Sequence, residues 1–516
     1  MAAIIVDRSL AAELVKGLSA SGATSTPVIA PFTGDVLYDL PTSTPVDVAD
    51  AAAAARVAQL AWLRIGFAER RRILLKAHDL LLADRERLLD VLQTETGKTR
   101  GQAFEEVFQG ANATRYAALS ARGVLKTRHR RGGIPLVFAA RVSYKAKGVI
   151  GVITPWNYPL SLALMDIVPA LATGNAVVQK ADNQGALTIL ATRRAFIEAG
   201  VPAALWAVVT GDGNDIGNAV VDAGDYVCFT GSTATGTKVG LRAMARLVGV
   251  SLELGGKNPM LVLDDVKPRQ AAANAVYSCF SSMGQLCVSI ERIYVERPVA
   301  EEFTAAFVDR VKSLVQGPAL EYTTDIGSLT NAAQLERVTA HVEDAIAKGA
   351  TLLAGGKARP DLGPYFYEPT VLTNVTSDMA CFAGETFGPV VAITVVDSVD
   401  SAIAEANASE YGLNASVFSG SKGRARQVAD RISAGSVNVN EGYRASFGSI
   451  DAPMGGMKKS GLGRRNGREG MLRFVDARTV AESTGLMTLP RTGAEFAKLA
   501  GVMELLLKTL KAIRRR

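Results

Sequence analysis

Between about residues 46 and 120, apolar positions recur every three or four residues with charged faces between them, as in VDVADAAAAARVAQLAW and ERRRILLKAHDLLLADRERLLDVLQTETGK. That period predicts amphipathic helices. From about 148 the pattern changes to short β-rich runs, GVIGVITPW, NAVVQKA, LWAVVTG and DYVCFTG, alternating with helical stretches such as SLALMDIVPALATG and GALTILATRRAFIEAG. Strands spaced by helices predict βαβ units and a mostly parallel sheet, which binds ligands beyond the carboxyl ends of its strands. A second alternating region, about 254–456, holds MLVLDD, RIYVERP, VVAITVV and SVNVN and predicts another α/β unit. Residues 130–147, RRGGIPLVFAARVSYKAK, predict an extended hairpin, and RFVDARTVAES at 473–483 a further peripheral strand; such strands can pair with another subunit.

A chain of 516 residues exceeds one hydrophobic core, so two or three domains are expected, assembled from discontinuous segments. Apolar runs end short of the roughly 18 residues that a membrane span needs, and MAAIIVDRSLAAEL carries no readable secretory signal, so the cytoplasm is expected. Cys228, Cys279, Cys287 and Cys381 show no C-x-x-C spacing and are expected as reduced thiols. His78, His129 and His341 lack ligand spacing, so no metal site is expected. The net charge is +7, but seven basic and two acidic residues fall from Arg491 onward, leaving the body nearly neutral. Nucleic acid is therefore not an expected partner. The end, AKLAGVMELLLKTLKAIRRR, is amphipathic and basic. It is expected as a terminal helix packed on its own subunit or a neighbour, with contact to an anionic membrane surface as the alternative.

Candidate chemistry sits in several short stretches. SSMGQLCVSIERI at 281–293 contains Cys287, which alone reads more readily as core packing than as a nucleophile. FTGSTATG runs a strand into Gly231, Ser232 and Gly236; free N–H groups and a hydroxyl there suit a phosphate and an ordinary capped helix equally. VVTGDGNDIG spaces Gly211, Gly213 and Gly217 one residue too widely for a dinucleotide fingerprint and reads as a turn. In SLELGGKNP, Glu253 between two leucines suggests a positioned base. Asn157 in ITPWNYP lies in a turn framed by Pro155 and Pro159, which alone is turn chemistry.

Taken together, TPWNYP, QKADN, FTGSTATG, ELGGKNP, GQLC, ETFGP and APMGGMKKSGLGRRNGREG stand in an order and spacing that resembles the aldehyde dehydrogenase superfamily over about residues 30–485. The likeness is greatest to its actinobacterial succinate-semialdehyde dehydrogenases. The resemblance implies an α/β fold with a Rossmann-type cofactor domain (1–129, 148–253 and 457–472), an α/β catalytic domain (254–456), a β oligomerisation arm (130–147 and 473–490) and a tail (491–516). It implies Cys287 as nucleophile, Glu253 as general base and Asn157 in the oxyanion hole. Cofactor contacts carry over to Trp156, Asn157, Lys180, Asn183, Gly231, Ser232, Leu254, Glu385 and Phe387. NAD-preferring members place a glutamate three residues after the lysine; here that place is Asn183, so nothing repels a 2′-phosphate and Lys180 can pair with it. NADP⁺ is expected, with NAD⁺ use open. Where related enzymes read a substrate carboxylate with two arginines, this chain has Met165 and Ser281, and Arg444 in NEGYRASFGSID is the candidate replacement. The implied reaction oxidises an aldehyde to its acid, with succinate semialdehyde foremost and neutral aromatic or medium-chain aldehydes as the alternative, in a homodimer or homotetramer. Intact Cys287, Glu253 and Asn157 speak against a non-catalytic binding protein.

Overall fold

The computed structural model describes residues 8–22, 24–134 and 137–513. The helical spacing near the start folds as four consecutive helices, Pro45–Arg64, Gly66–Ala83, Arg85–Thr96 and Arg100–Val124. Thr44 opens the first with a capping box: its side chain accepts from the Asp47 N–H, and Asp47 accepts from the Thr44 N–H. Gly97, at φ 73°, closes the third.

The first sheet runs Gly461–Leu462, Gly249–Glu253, Tyr226–Thr230, Val149–Ile153, Ala176–Lys180, Trp206–Val209. Its five longer strands are parallel, and Gly461–Leu462 closes one edge antiparallel to Gly249–Glu253. The Val149–Ile153, Ala176–Lys180 and Tyr226–Thr230 strands are buried throughout, as expected of strands covered on both faces by helices. The second sheet runs Thr351–Ala354, Thr370–Thr373, Val390–Val396, Ile290–Glu296, Asn258–Val262, Asn414–Phe418, Ser436–Val439, parallel except for the first pair. Both alternating regions thus form the α/β units that the strand spacing predicts.

The peripheral strands meet in a third, antiparallel sheet. Phe138–Ala146 lies between Arg128–Arg131 and Val475–Ser483, with Val475 opposite Ala146 and Ser483 opposite Phe138. Most positions on both of its faces are partly or fully exposed. Pro135 and Leu136 of the predicted hairpin lie outside the described residues.

The tail narrows one expectation. Gly493–Ala512 is a helix with its own capping box, Thr492 with Glu495, yet none of its residues is buried. Of the two packings expected, on its own subunit or on a neighbour, the first is not seen among the described residues, and the mostly exposed segment 484–491 precedes the helix. The basic end, Arg514 to Arg516, lies outside the described residues. No helix among those described is long and apolar enough to cross a membrane.

Candidate active site

Val149–Ile153 and Tyr226–Thr230 are neighbours, yet the chain leaves them toward opposite edges of the sheet. Such a switch point leaves a crevice beyond the strand ends. A cleft of about 160 Å³ lies there, and Trp156, Asn157, Gly231, Ser232, Glu253, Leu254, Cys287, Glu385 and Phe387 all line it. Of the residues singled out above, Lys180, Asn183 and Arg444 do not.

The thiol is delivered by an unusual backbone. Ser282, Met283 and Gly284 all have left-handed φ, 49°, 60° and 67°, and a Cβ at Gly284 would come within 2.1 Å of the Gly388 carbonyl. The Asn258 amide donates to the carbonyls of Cys287 (2.8 Å) and Ser289 (2.7 Å), fixing the segment that follows. Burial pushes the Cys287 thiol up to about 12, and the carboxylates of Glu385 and Glu253 add to the rise.

Glu253 ends its strand with Oε1 buried and without a hydrogen-bond partner. Burial raises it to about 7, against the downward pull of Arg465 and Arg473. Those arginines converge on Asp166, buried in the helix Pro159–Ala172: Arg465 donates to both Asp166 oxygens and to Thr230, and Arg473 donates to Asp166 at 2.6 Å.

Asn157 donates from its side-chain amide to the Gln285 carbonyl at 2.9 Å, and one amide hydrogen remains. Its own carbonyl accepts from Lys98 Nζ at 2.8 Å. Lys98 forms a buried ion pair with Glu106, whose other oxygen accepts the N–H groups of Leu160 (2.6 Å) and Ser161 (3.2 Å) at the start of the helix Pro159–Ala172. One carboxylate therefore holds a helix N-terminus while its partner holds the Asn157 turn.

Glu385 Oε1 accepts from the Gly256 N–H at 2.8 Å. Burial, and then Glu291, raise its carboxyl to about 7. Glu291, ion-paired with Lys257, accepts the N–H groups of Thr386 and Phe387. The Phe387 ring meets Trp156 edge-on at 5.6 Å. Ser232 caps the helix Thr233–Ala245 by accepting from the Thr235 N–H.

Beyond the cleft, Lys180 ends its strand with no ion pair among the described residues. Asn183 Oδ1 accepts from the Gly211 N–H at 3.0 Å, which ties it to the glycine turn. Asp182 is turned onto its own backbone, capping the turn Asn183–Gly185 through the Gln184 N–H. The cleft fits a dinucleotide: a Cβ at Gly255 would come within 2.5 Å of Glu385 Oε2, and the capped helix offers its N-terminus to a phosphate. Arg444, exposed, pairs with Glu441 at 2.9 Å and lies 4.4 Å over the Tyr277 ring. Lys98, Glu106, Asn258, Gln285 and Glu291 hold the site, but the sequence does not show their roles, even for Asn258 in ELGGKNP and Gln285 in GQLC, because their partners are set by the fold. The one local signal was Lys98 itself, a charge directly after the Gly97 helix stop.

The chain matches the model of the aldehyde dehydrogenase family over residues 18–480. It is 50% identical over 469 residues, 91% of each chain, to a Mycolicibacterium smegmatis protein provisionally named succinate-semialdehyde dehydrogenase of the NADP(+) type. To the mitochondrial succinate-semialdehyde dehydrogenase of Oryza sativa it is 36% identical, covering 87% of this chain and 85% of that one. The crystal structure of the NAD-dependent aldehyde dehydrogenase from Sinorhizobium meliloti superposes with a TM-score of 0.87 at 35% identity, covering 92% of this chain and 94% of that chain. A match of this length, with the expected motifs meeting in one cleft, identifies the chain as a member of the aldehyde dehydrogenase family.

Proposed function

We propose that this aldehyde dehydrogenase oxidises succinate semialdehyde to succinate with NADP⁺. The carrying observation is that Cys287, Glu253 and Asn157 open onto one cleft together with Trp156, Ser232, Glu385 and Phe387. The Cys287 thiolate adds to the aldehyde carbon, and the free Asn157 amide hydrogen and the Cys287 N–H are offered to the developing alkoxide. Bound NADP⁺ supplies a hydride acceptor, and Trp156, Lys180, Asn183, Gly231, Ser232, Leu254, Glu385 and Phe387 are the residues that would hold it. Glu253, near 7 and without a partner on Oε1, takes a proton from the water that hydrolyses the Cys287 thioester.

The substrate assignment is supported by the names of the Mycolicibacterium and Oryza relatives. The cofactor assignment is supported by the neutral Asn183 and by Lys180, which is free of ion pairs among the described residues. Arg444 is proposed to face the tail of the substrate. One observation favours the second reading, neutral aldehydes: Met165 and Ser281 are both buried, and neither carries a charge. Initial rates with succinate semialdehyde, butanal and benzaldehyde, each with NADP⁺ and NAD⁺, test the proposal. It requires the highest kcat/KM for succinate semialdehyde with NADP⁺, and a clear preference for a neutral aldehyde or for NAD⁺ would overturn that part.

The sheet pairings support the cofactor, catalytic and arm segments as drawn from the sequence. A homodimer or homotetramer is supported by the two-sided exposure of the arm and by Leu241, Met244 and Leu247 standing out from one helix end. Four free cysteines suit a reducing compartment such as the cytoplasm.

A further inference from the structure

Against the apolar side chains on which Cys287 packs lies a cluster that the reaction as written leaves unused. Tyr277 and Tyr443 both donate their hydroxyls to Glu105 Oε2, at 3.0 and 3.1 Å, and the Tyr443 hydroxyl lies 2.9 Å from Ser281 Oγ. The two tyrosine rings stack at 6.2 Å. Tyr443 belongs to an apolar cluster with Tyr158, Met165 and Phe447, against which Tyr277 and Cys287 also pack. Glu105 is half-buried and Arg444 exposed, so the same group of side chains reaches from the thiol toward the surface. Cys287 thus packs against the same side chains as the tyrosine pair, which sets this wall beside the thiol.

The protons in the cluster can be counted. An ionised carboxylate only accepts, so Tyr277 spends its hydrogen on Glu105, and Tyr443 shares its single hydrogen between Glu105 and Ser281 Oγ. A substrate carboxylate arriving there finds a like charge and both tyrosine hydroxyls already engaged. One added proton reverses this: Glu105 becomes a donor, and both tyrosine hydroxyls are released to turn toward the newcomer. The cations nearby are already shared with other carboxylates. Arg444 is engaged by Glu441, and Lys98 by Glu106.

We propose that an acid-tailed aldehyde binds together with one proton, shared between its carboxylate and Glu105, so that Glu105 sets the preference between acidic and neutral substrates. This rests on the succinate-semialdehyde reading above and deepens it by naming how a carboxylate is accepted without an arginine clamp. Two carboxyl groups side by side cannot both ionise easily, which is the physical basis of proton sharing. The groups facing Glu105 are Lys98, Tyr158, Tyr277, Tyr443 and Arg444, while Glu106, next to it on the helix, is turned to Lys98 and the Leu160 and Ser161 N–H groups. Burial already pushes Glu105 above its ordinary value, opposed by the two tyrosine hydrogen bonds, Arg444 and Lys98.

The test is the ratio of kcat/KM for succinate semialdehyde to that for butanal, measured from about pH 5.5 to 8.5 with saturating NADP⁺. The ratio removes the titrations of Cys287 and Glu253, which both substrates share, and any loss of folded enzyme. In the unmodified protein it is expected to fall with rising pH, approaching about tenfold per unit. In Glu105→Gln it is expected to be flat and at least as high as the low-pH value. Tyr277→Phe removes a donor to the carboxylate, so the fall is expected to begin at higher pH. A flat ratio in the unmodified protein, or an unchanged slope in Glu105→Gln, overturns the proposal while leaving the substrate reading intact. Turnover of butanal with none of succinate semialdehyde in any variant at any pH overturns the reading itself, and the proposal with it.

Discussion

Replacing Glu253 by Gln separates the two halves of the reaction. The side chain ends a strand with Oε1 bonded to nothing, so the amide breaks no hydrogen bond of that atom and the cleft keeps its shape. What is lost is the base that activates water, an effect of about 10²–10⁴ in rate, or roughly 3–5 kcal/mol in the barrier to thioester hydrolysis. Acyl transfer to Cys287 does not use this base. Stopped-flow absorbance is therefore expected to show a burst of about one reduced nicotinamide per site, followed by a steady rate at least about a hundredfold below that of the unmodified enzyme. With Glu253 near 7, about a tenth of it is ionised at pH 6 and about nine tenths at pH 8, so the unmodified enzyme's hydrolytic step is expected to rise about tenfold between them. Stability runs the other way. Folding raises this carboxyl from 4.5 to about 7, so the unfolded chain ionises first and the native state loses stability as pH climbs through that window. The Gln variant is therefore expected to have a higher Tm than the unmodified protein at pH 8, with the difference gone at pH 4. A variant without a burst, or one whose steady rate stays within about threefold of normal, would refute the assignment of Glu253 to hydrolysis.

Three further outcomes are expected. With its thiol pushed up to about 12, the free enzyme should be alkylated at Cys287 by iodoacetamide at a rate still climbing at about pH 10; a plateau near 8 would show a thiol that the Glu385 and Glu253 charges do not govern. Asn183→Glu is expected to raise KM for NADP⁺ about tenfold or more and to leave KM for NAD⁺ within about twofold, whereas equal changes would remove Asn183 from the cofactor argument. Lys98→Ala leaves the Glu106 charge buried and alone, which should cost about 3–5 kcal/mol in urea unfolding, and an undiminished midpoint would mean that the pair does not hold the Asn157 turn.

The first-sheet strands were legible because burial on both faces writes itself as continuous apolar runs, and the glycine turns after Thr230 and Glu253 follow them directly in sequence. Cys287, Glu253 and Asn157 became legible only as a set, through the spacing of motifs. Glu106 and Glu291 stayed hidden because a charge on a helix or strand reads the same whether it faces water or a buried lysine. Glu105 was missed for a related reason: its partners Tyr277 and Tyr443 lie 172 and 338 residues away, and no local pattern links them. The tail shows the opposite limit. Its amphipathic period correctly gave a helix, but a stripe of apolar residues does not say what it will touch.

The Asp166 cluster also carries a consequence for how the protein is made. Asp166 is fully buried and neutralised by Arg465 and Arg473, which follow it by 299 and 307 residues. A ribosome adding roughly 5–20 residues per second delivers the first of them some 15–60 seconds later. Until then the nascent chain holds an acid that cannot be buried without its counter-charges, beside a sheet whose edge still lacks Gly461–Leu462. The cofactor-side half, although encoded first, is thus completed last, and a nascent chain stalled before Arg465 is a natural client for chaperones.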